Sequence, residues 1–325
     1  METRKLGYTD LYLTTVGLGT WAIGGGDNPY GWGAQNDRDS IATIQRALDL
    51  GVNWIETAKG YGHGHSEEII GEAILGRRQN VTLMTKCGIL WKDDGSDIYV
   101  HLKARSIKEE CESSLKRLKT DVIDVYQIHW PGSGEDIEEG WGAITELIKE
   151  GKVRYGGVSN FSIQQIQRIQ PIHPVASVQP PYSMIKRDTE KGLLGFCGRN
   201  EIGMIVYSPM QAGLLSGKFT RERAAALPDD DWRKSSPDFQ EPLLSIHLDL
   251  VEKLRPIAAR YDQPVANLAV AWTLRHPEIT GAIVGARRPE QIEETIKAMD
   301  LKLSMVDLGK IEHLLSEHDA RVSQL

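Results

Sequence analysis

A chain of 325 residues with 40% hydrophobic content can bury a large core, as one large domain or two ordinary ones. The formal net charge of −7 argues against nucleic-acid binding, which needs a basic face. No segment has the apolar length of a transmembrane helix, and charged Glu2, Arg4 and Lys5 follow Met1 where a signal peptide would turn apolar. Cys87, Cys111 and Cys197 are odd in number and lack metal-site spacing, so they read as reduced thiols. The expectation is a soluble, cytoplasmic protein with no metal and no nucleic-acid or membrane partner; its oligomeric state is open.

In chain order, Leu6 and residues 11–14 flank Gly7-Tyr8-Thr9-Asp10, which predicts a small N-terminal β-hairpin. Short β-like runs then alternate with amphipathic stretches. Strands are expected at 16–19, 53–56, 81–85, 122–129, 153–159, 176–179, 204–208 and 282–285. Helices are expected at 39–50, 66–75, 106–118, 137–150 and 190–200, the first with Ile41, Ile44, Ala47 and Leu48 at helical spacing. Gly51 and Gly151 supply helix stops, and Ser162 is a natural N-cap for another helix. Eight strand–helix units make the count of a (β/α)8 TIM barrel, an α/β fold. Residues 211–242, after the seventh strand, lack periodicity and are dense in Gly, Pro, Asp and Arg; so long a loop usually has a function, such as clasping a cofactor. No low-complexity linker divides the chain, so residues 1–325 read as a single domain. A doubly wound open sheet fits less well: Gly24-Gly25-Gly26 runs into Asp27-Asn28-Pro29 rather than into a helix.

Four residues stand at or just beyond the C-terminal ends of expected strands: Glu56, Tyr61, Lys86 and His129. Alone, each has a plain reading as a rim or packing side chain. Together, at the end of a barrel where active sites are built, they suit carbonyl reduction. That reaction needs a proton at an oxygen on which charge develops. Tyr61 is the candidate general acid, Lys86 the ammonium that lowers the phenol's pKa from its ordinary value of about 10. Glu56 would pair with Lys86, and His129 would orient the carbonyl. Lys59 could compete for Glu56 but reads as a solvent-facing loop charge.

These segments resemble the aldo-keto reductase family along nearly the whole chain, most closely its bacterial, NADP-dependent members acting on small aldehydes, sugars or polyols. The stretches carrying the resemblance are Gly17-Leu18-Gly19-Thr20-Trp21, Glu56 to Tyr61 followed by Ser66-Glu67-Glu68, and Thr85-Lys86. Ser114-Leu115-Lys116-Arg117-Leu118 with Asp121 and Asp124, Gln127-Ile128-His129-Trp130-Pro131, Gly151-Lys152-Val153-Arg154, Gly157-Val158-Ser159-Asn160-Phe161 and Tyr207-Ser208-Pro209 extend it. Two departures stand out. Glu56 replaces the usual aspartate, and Thr295 stands where an asparagine is common.

The resemblance implies a nicotinamide cofactor lying across the rim. Thr20, Trp21 and Pro209 belong to stretches that would contact it. Ser159, Asn160 and Gln179 would hold the carboxamide, and Tyr207 would stack on the ring. Ser208, Gly213, Leu215, Gly217 and Lys218 would line the pyrophosphate path, in a Gly-rich turn suited to phosphate. Gly285, Arg287 and Arg288, at a strand end before a helix, would meet the adenosine phosphate, with Gln291 and Glu294 on the adenosine; this points to NADP. Trp21 and Trp130 would shape the substrate pocket, with Trp32 and Trp91 on rim loops and Asp27, Asn28 and Tyr30 within reach of polar substrate groups. The resulting expectation is NADPH-dependent reduction of aldehydes or ketones, or the reverse oxidation of a sugar or polyol. The alternative is an NADP(H)-binding sensor or subunit-like protein with weak turnover.

Overall fold

The computed structural model describes residues 2–26 and 28–325. Strands β1 (Thr3–Lys5) and β2 (Tyr12–Thr14) pair antiparallel as the expected hairpin. The barrel then starts with β3 (Val16–Gly19), β4 (Trp54–Glu56) and β5 (Thr82–Cys87). A second hairpin follows, β6 (Ile89–Trp91) with β7 (Ile98–Val100). The barrel resumes with β8 (Ile123–Ile128), β9 (Val153–Ser159), β10 (Ser177–Gln179), β11 (Gly203–Val206) and β12 (Ile279–Gly285). Its eight strands are all parallel, and β12 pairs with β3 to close it. Between successive barrel strands run α1 (Asp37–Asp49), α2 (His65–Ala73), α3 (Ala104–Leu118), α4 (Ile137–Lys149), α5 (Ile163–Ile169) and α6 (Leu193–Arg199). The last connection carries α7 (Arg221–Ala225), α8 (Leu243–Ala259) and α9 (Val265–Thr273). Two further helices, α10 (Pro289–Thr295) and α11 (Met305–Val322), follow β12. No helix among the described residues is long and apolar enough to cross a membrane.

Local chemistry explains the boundaries. Asn36 caps α1 by accepting from the Arg38 and Asp39 amides, and Asp37 and Asp39 complement the positive helix end. Ser162 and Gln165 form a reciprocal capping box on α5. The helix expected at 190–200 begins only at Leu193, because residues Asp188–Glu190 form a separate 3-10 turn and Gly192 turns the chain at φ 126°. The last strand starts earlier than expected, at Ile279. Its Thr280 and Gly281 conceal the strand pattern; Gly281 pairs with Ile205 of β11, and the register shifts past Thr280.

Inside the barrel the two-residue period of a strand stacks side chains in layers. Trp54, Met84, Val125, Ile205 and Ile283 pack together inside the barrel with Leu6, Leu11 and Leu13 of the N-terminal hairpin segment. Trp54 also donates its indole N–H to the Thr14 carbonyl at 2.8 Å. The hairpin and Trp54 thus seal the N-terminal end. Two residues further along β4 and β5 stand Glu56 and Lys86, at the opposite rim.

The seal constrains its neighbours. A Cβ on Gly17 would stand 2.0 Å from Trp54 Cε2, so nothing larger fits without moving the indole. Gly17→Ala is expected to cost about 1–3 kcal/mol through overpacking, seen as a lower urea midpoint at unchanged m-value.

Candidate active site

Tyr61 opens a tight turn after β4 whose Gly62, at φ 59°, has room for no Cβ: one would meet the Gly24 carbonyl oxygen at 2.1 Å. This close approach joins the Tyr61 turn to the loop carrying Trp21, which stacks on the Tyr61 ring at 6.3 Å between centroids. Beneath them Lys86 is fully buried. Its Nζ pairs with Glu56, donates to the Thr57 carbonyl at 3.1 Å and reaches the Tyr61 hydroxyl at 2.9 Å. The Tyr61 hydroxyl is also 3.3 Å from Glu56 Oε1. His129 stands edge-on to the Tyr61 ring, 5.8 Å between centroids. The four residues therefore share one rim.

Electrostatics differ from the sequence expectation in one respect. Burial, and secondarily the Tyr207 hydroxyl, push the Tyr61 phenol up rather than letting Lys86 pull it down. The lysine charge is spent on Glu56, while burial pushes the ammonium itself towards neutrality. His129 is pushed well below its ordinary range by burial first and by Lys86 second, so it is a neutral imidazole. Lys59 neither competes for Glu56 nor faces solvent freely. It lies 3.4 Å from the buried carboxylate of Glu110.

A cavity of about 550 Å³ runs from Glu56, Tyr61 and His129 past Asn160 and Tyr207 to Arg287 and Gln291. Trp21 and Trp130 line it, and so do Trp32, Trp91 and Tyr30. The Tyr30 hydroxyl donates to Asp97 at 2.7 Å, tying the loop after β3 to the β6–β7 hairpin over the cavity. Asp27 lies outside the described residues. Along the middle, Asn160 donates to the His129 carbonyl at 3.1 Å and accepts from the Tyr207 hydroxyl at 2.9 Å. Ser159 donates to the Gln179 carbonyl at 2.9 Å, and buried Gln179 Nε2 has no partner. An orphaned amide donor, a tyrosine ring and glycine-rich backbone in one groove fit a nicotinamide dinucleotide. Ser208, Pro209, Gly213, Lys218, Gly285, Gln291, Glu294 and Thr295 also line the cavity.

Of the expected cofactor residues, Thr20, Leu215, Gly217 and Arg288 stand outside the cavity wall, and Arg287 and Lys218, which line it, are already paired. Thr20 is buried beneath the rim, its hydroxyl donating to the Glu56 carbonyl at 2.9 Å. Leu215 belongs to the apolar core, and the Gly217 carbonyl faces Arg255 at 2.7 Å. Arg287 spends its guanidinium on the loop at 32–35, donating to Gln35 Oε1 at 2.6 Å, to the Trp32 carbonyl at 2.9 Å and to the Ala34 carbonyl. Arg288 is exposed outside the cavity wall, and Lys218 is paired with Glu294 at 2.6 Å.

The stretch at 211–242 is not featureless. Its Leu214, Phe219, Leu227 and Phe239 form a small core with Leu244 of α8. Trp232 stacks on Trp21 at 5.4 Å, and Arg233, in a buried pair with Asp231, lies over Trp32 at 4.7 Å. The segment is thereby fastened across the cavity onto the loop after β3. Among the described residues no cluster of His, Cys, Asp or Glu could hold a metal ion.

A family model described as Aldo/keto reductase family matches residues 15–316. The chain is 40% identical over 318 residues to Aldo-keto reductase YhdN of Bacillus subtilis (strain 168), covering 97% of this chain and 94% of that protein. It is 37% identical over 322 residues to the NADH-specific methylglyoxal reductase of Escherichia coli (strain K12), covering 94% and 96% of the two. Among solved structures, the glycerol dehydrogenase AKR11B4 from Gluconobacter oxydans matches with a TM-score of 0.88 at 33% identity, over 97% of this chain and 95% of that one.

The buried pair yields a stability test. Lys86→Met leaves the Glu56 carboxylate buried without its cation, expected to cost about 3–5 kcal/mol in urea denaturation. Adding Glu56→Gln to that variant should recover most of the loss.

Proposed function

The chain belongs to the aldo/keto reductase family, and from that premise we propose that it moves hydride between a nicotinamide dinucleotide and a small carbonyl or alcohol at the barrel rim. The observation that carries the reading is the 2.9 Å contact of Lys86 Nζ with the Tyr61 hydroxyl, beside His129 and open to the cavity. Methylglyoxal and glycerol, in the names of two relatives, are both small and oxygen-rich, which supports a substrate of that size.

In this reading Tyr61 keeps its proton at neutral pH, because burial disfavours the phenolate, and delivers it to the carbonyl oxygen. Neutral His129 offers an N–H that orients that oxygen. Glu56 and Thr57 hold Lys86 against the phenol oxygen. Bound in the groove, the dinucleotide supplies or accepts the hydride. Ser159, Asn160 and Gln179 would hold its carboxamide, Tyr207 its ring, Gly213 and Lys218 its phosphates, and Gln291 and Glu294 its adenosine. We take the phosphorylated form, NADPH, as the preferred one. Its support is Arg288, an exposed guanidinium at the start of α10 with no ion pair among the described residues. The relative named NADH-specific makes a direct comparison of the two cofactors necessary.

Tyr61→Phe is expected to cut carbonyl-dependent NADPH oxidation by about 10²–10⁴-fold while cofactor still quenches tryptophan fluorescence. Turnover retained in that variant would remove Tyr61 as the acid, and tight binding without turnover in the wild type would favour a binding protein instead. Reduction by the wild type should stay level from neutral pH up to the ordinary tyrosine value of about 10 and decline only above it, since the raised phenol keeps its proton past that point. Arg288→Ala should lower the NADPH-over-NADH ratio of kcat/KM by about tenfold, equivalent to roughly 1.4 kcal/mol; an unchanged ratio would place the discrimination elsewhere.

A further inference from the structure

Glu56 faces two groups at once. Its Oε1 is paired with Lys86 and lies 3.3 Å from the Tyr61 hydroxyl, which donates to it. An ionised carboxylate has no hydrogen to give, which fixes that direction. Lys86 Nζ has three acceptors within reach: Glu56 Oε1, the Thr57 carbonyl and the Tyr61 oxygen. An aspartate carboxylate, one methylene shorter, would stand about 1.5 Å further back from the phenol. Gly19, level with Glu56 on the neighbouring strand, leaves the space for the longer side chain. A Cβ there would lie 3.6 Å from Glu56 Oε2 and 2.4 Å from Ile283 Cγ2. Glu56 is only 2% exposed, so water does not compete for the contact.

We propose that Glu56 is a proton acceptor in series behind Tyr61 during alcohol oxidation, and the group that reprotonates Tyr61 during carbonyl reduction; this rests on the oxidoreductase reading above. In the oxidising direction the carbinol C–H bond breaks and its electron pair leaves as hydride to the oxidised nicotinamide. The alcohol O–H proton passes to the Tyr61 oxygen, the original Tyr61 proton passes to Glu56 Oε1, and the substrate becomes a carbonyl compound. The carboxylate ends as a carboxylic acid, so charge and protons balance. No preformed phenolate is needed. The reverse sequence returns the Glu56 proton through Tyr61 to the carbonyl oxygen.

Glu56→Asp keeps the charge beside Lys86 and withdraws it from the phenol, so two measurements on it test the idea. The first is an ultraviolet difference titration of the cofactor-free protein, with Tyr61→Phe as the blank. The phenol midpoint is expected to fall by about one pH unit in Glu56→Asp, because the carboxylate no longer holds the O–H; identical midpoints would overturn the proposal. The second is the pH profile of alcohol oxidation. The wild type should be level through neutral pH, whereas Glu56→Asp, left to depend on phenolate, should lose about tenfold in rate for each pH unit below its phenol midpoint. Superimposable profiles alongside a shifted midpoint would overturn the relay and leave the oxidoreductase reading intact. A wild type that turns over no alcohol or carbonyl would overturn both.

Discussion

An ammonium group enclosed in a barrel has no water to solvate it, so protein atoms must supply a countercharge and three acceptors. Lys86 is in that position, and the surroundings of the rim follow from it. The countercharge has to come from an adjacent strand, which places Glu56 on β4 in register with Met84. One acceptor is the Thr57 carbonyl, whose residue's amide bonds the Met84 carbonyl at 2.9 Å. The remaining acceptor is the Tyr61 oxygen, and the Tyr61 turn is brought there by the glycine contact between Gly62 and Gly24. The site is therefore also a stability element. A change at any of the three partners disturbs both the charge balance of the interior and the placement of the phenol.

How much of this was legible in the sequence depends on the range of the interaction. Within one strand, the period of two is enough to align Trp54 with Glu56 and Met84 with Lys86, and parallel pairing carries that alignment to the neighbours. Hence the barrel and the gathering of four side chains at one rim could be read from short apolar runs. Helix ends at Ser162 and Gly51 were legible for the same reason, since a cap acts within a few residues. Fastenings that join distant segments were not. Arg287 bonds carbonyls some 250 positions earlier in the chain, and nothing local distinguishes it from a phosphate-binding arginine. Lys59 likewise finds Glu110 on α3. The rise of the Tyr61 phenol is a property of burial, which a motif does not report.

The aperiodic stretch at 211–242 teaches a related point. Its apolar residues follow no helical or strand period because they converge from turns onto a small core with Leu244 of α8. A buried ion pair, Asp231 with Arg233, and an arginine–indole stack stand in for the regular hydrogen bonding it lacks. Gln211 extends the fastening in the other direction, donating to Asp238 at 2.9 Å; Asp238 in turn faces buried His247, which touches His318 on α11 at 2.9 Å. The strap over the cavity is thus anchored at both the aromatic loop and the C-terminal helix.

The hairpin under the barrel has a consequence for traffic. With Leu6, Leu11, Leu13 and Trp54 filling the far end, and Met84, Val125, Ile205 and Ile283 packed with them, the rim cavity has no passage through the barrel, so whatever enters from the rim must leave by the rim.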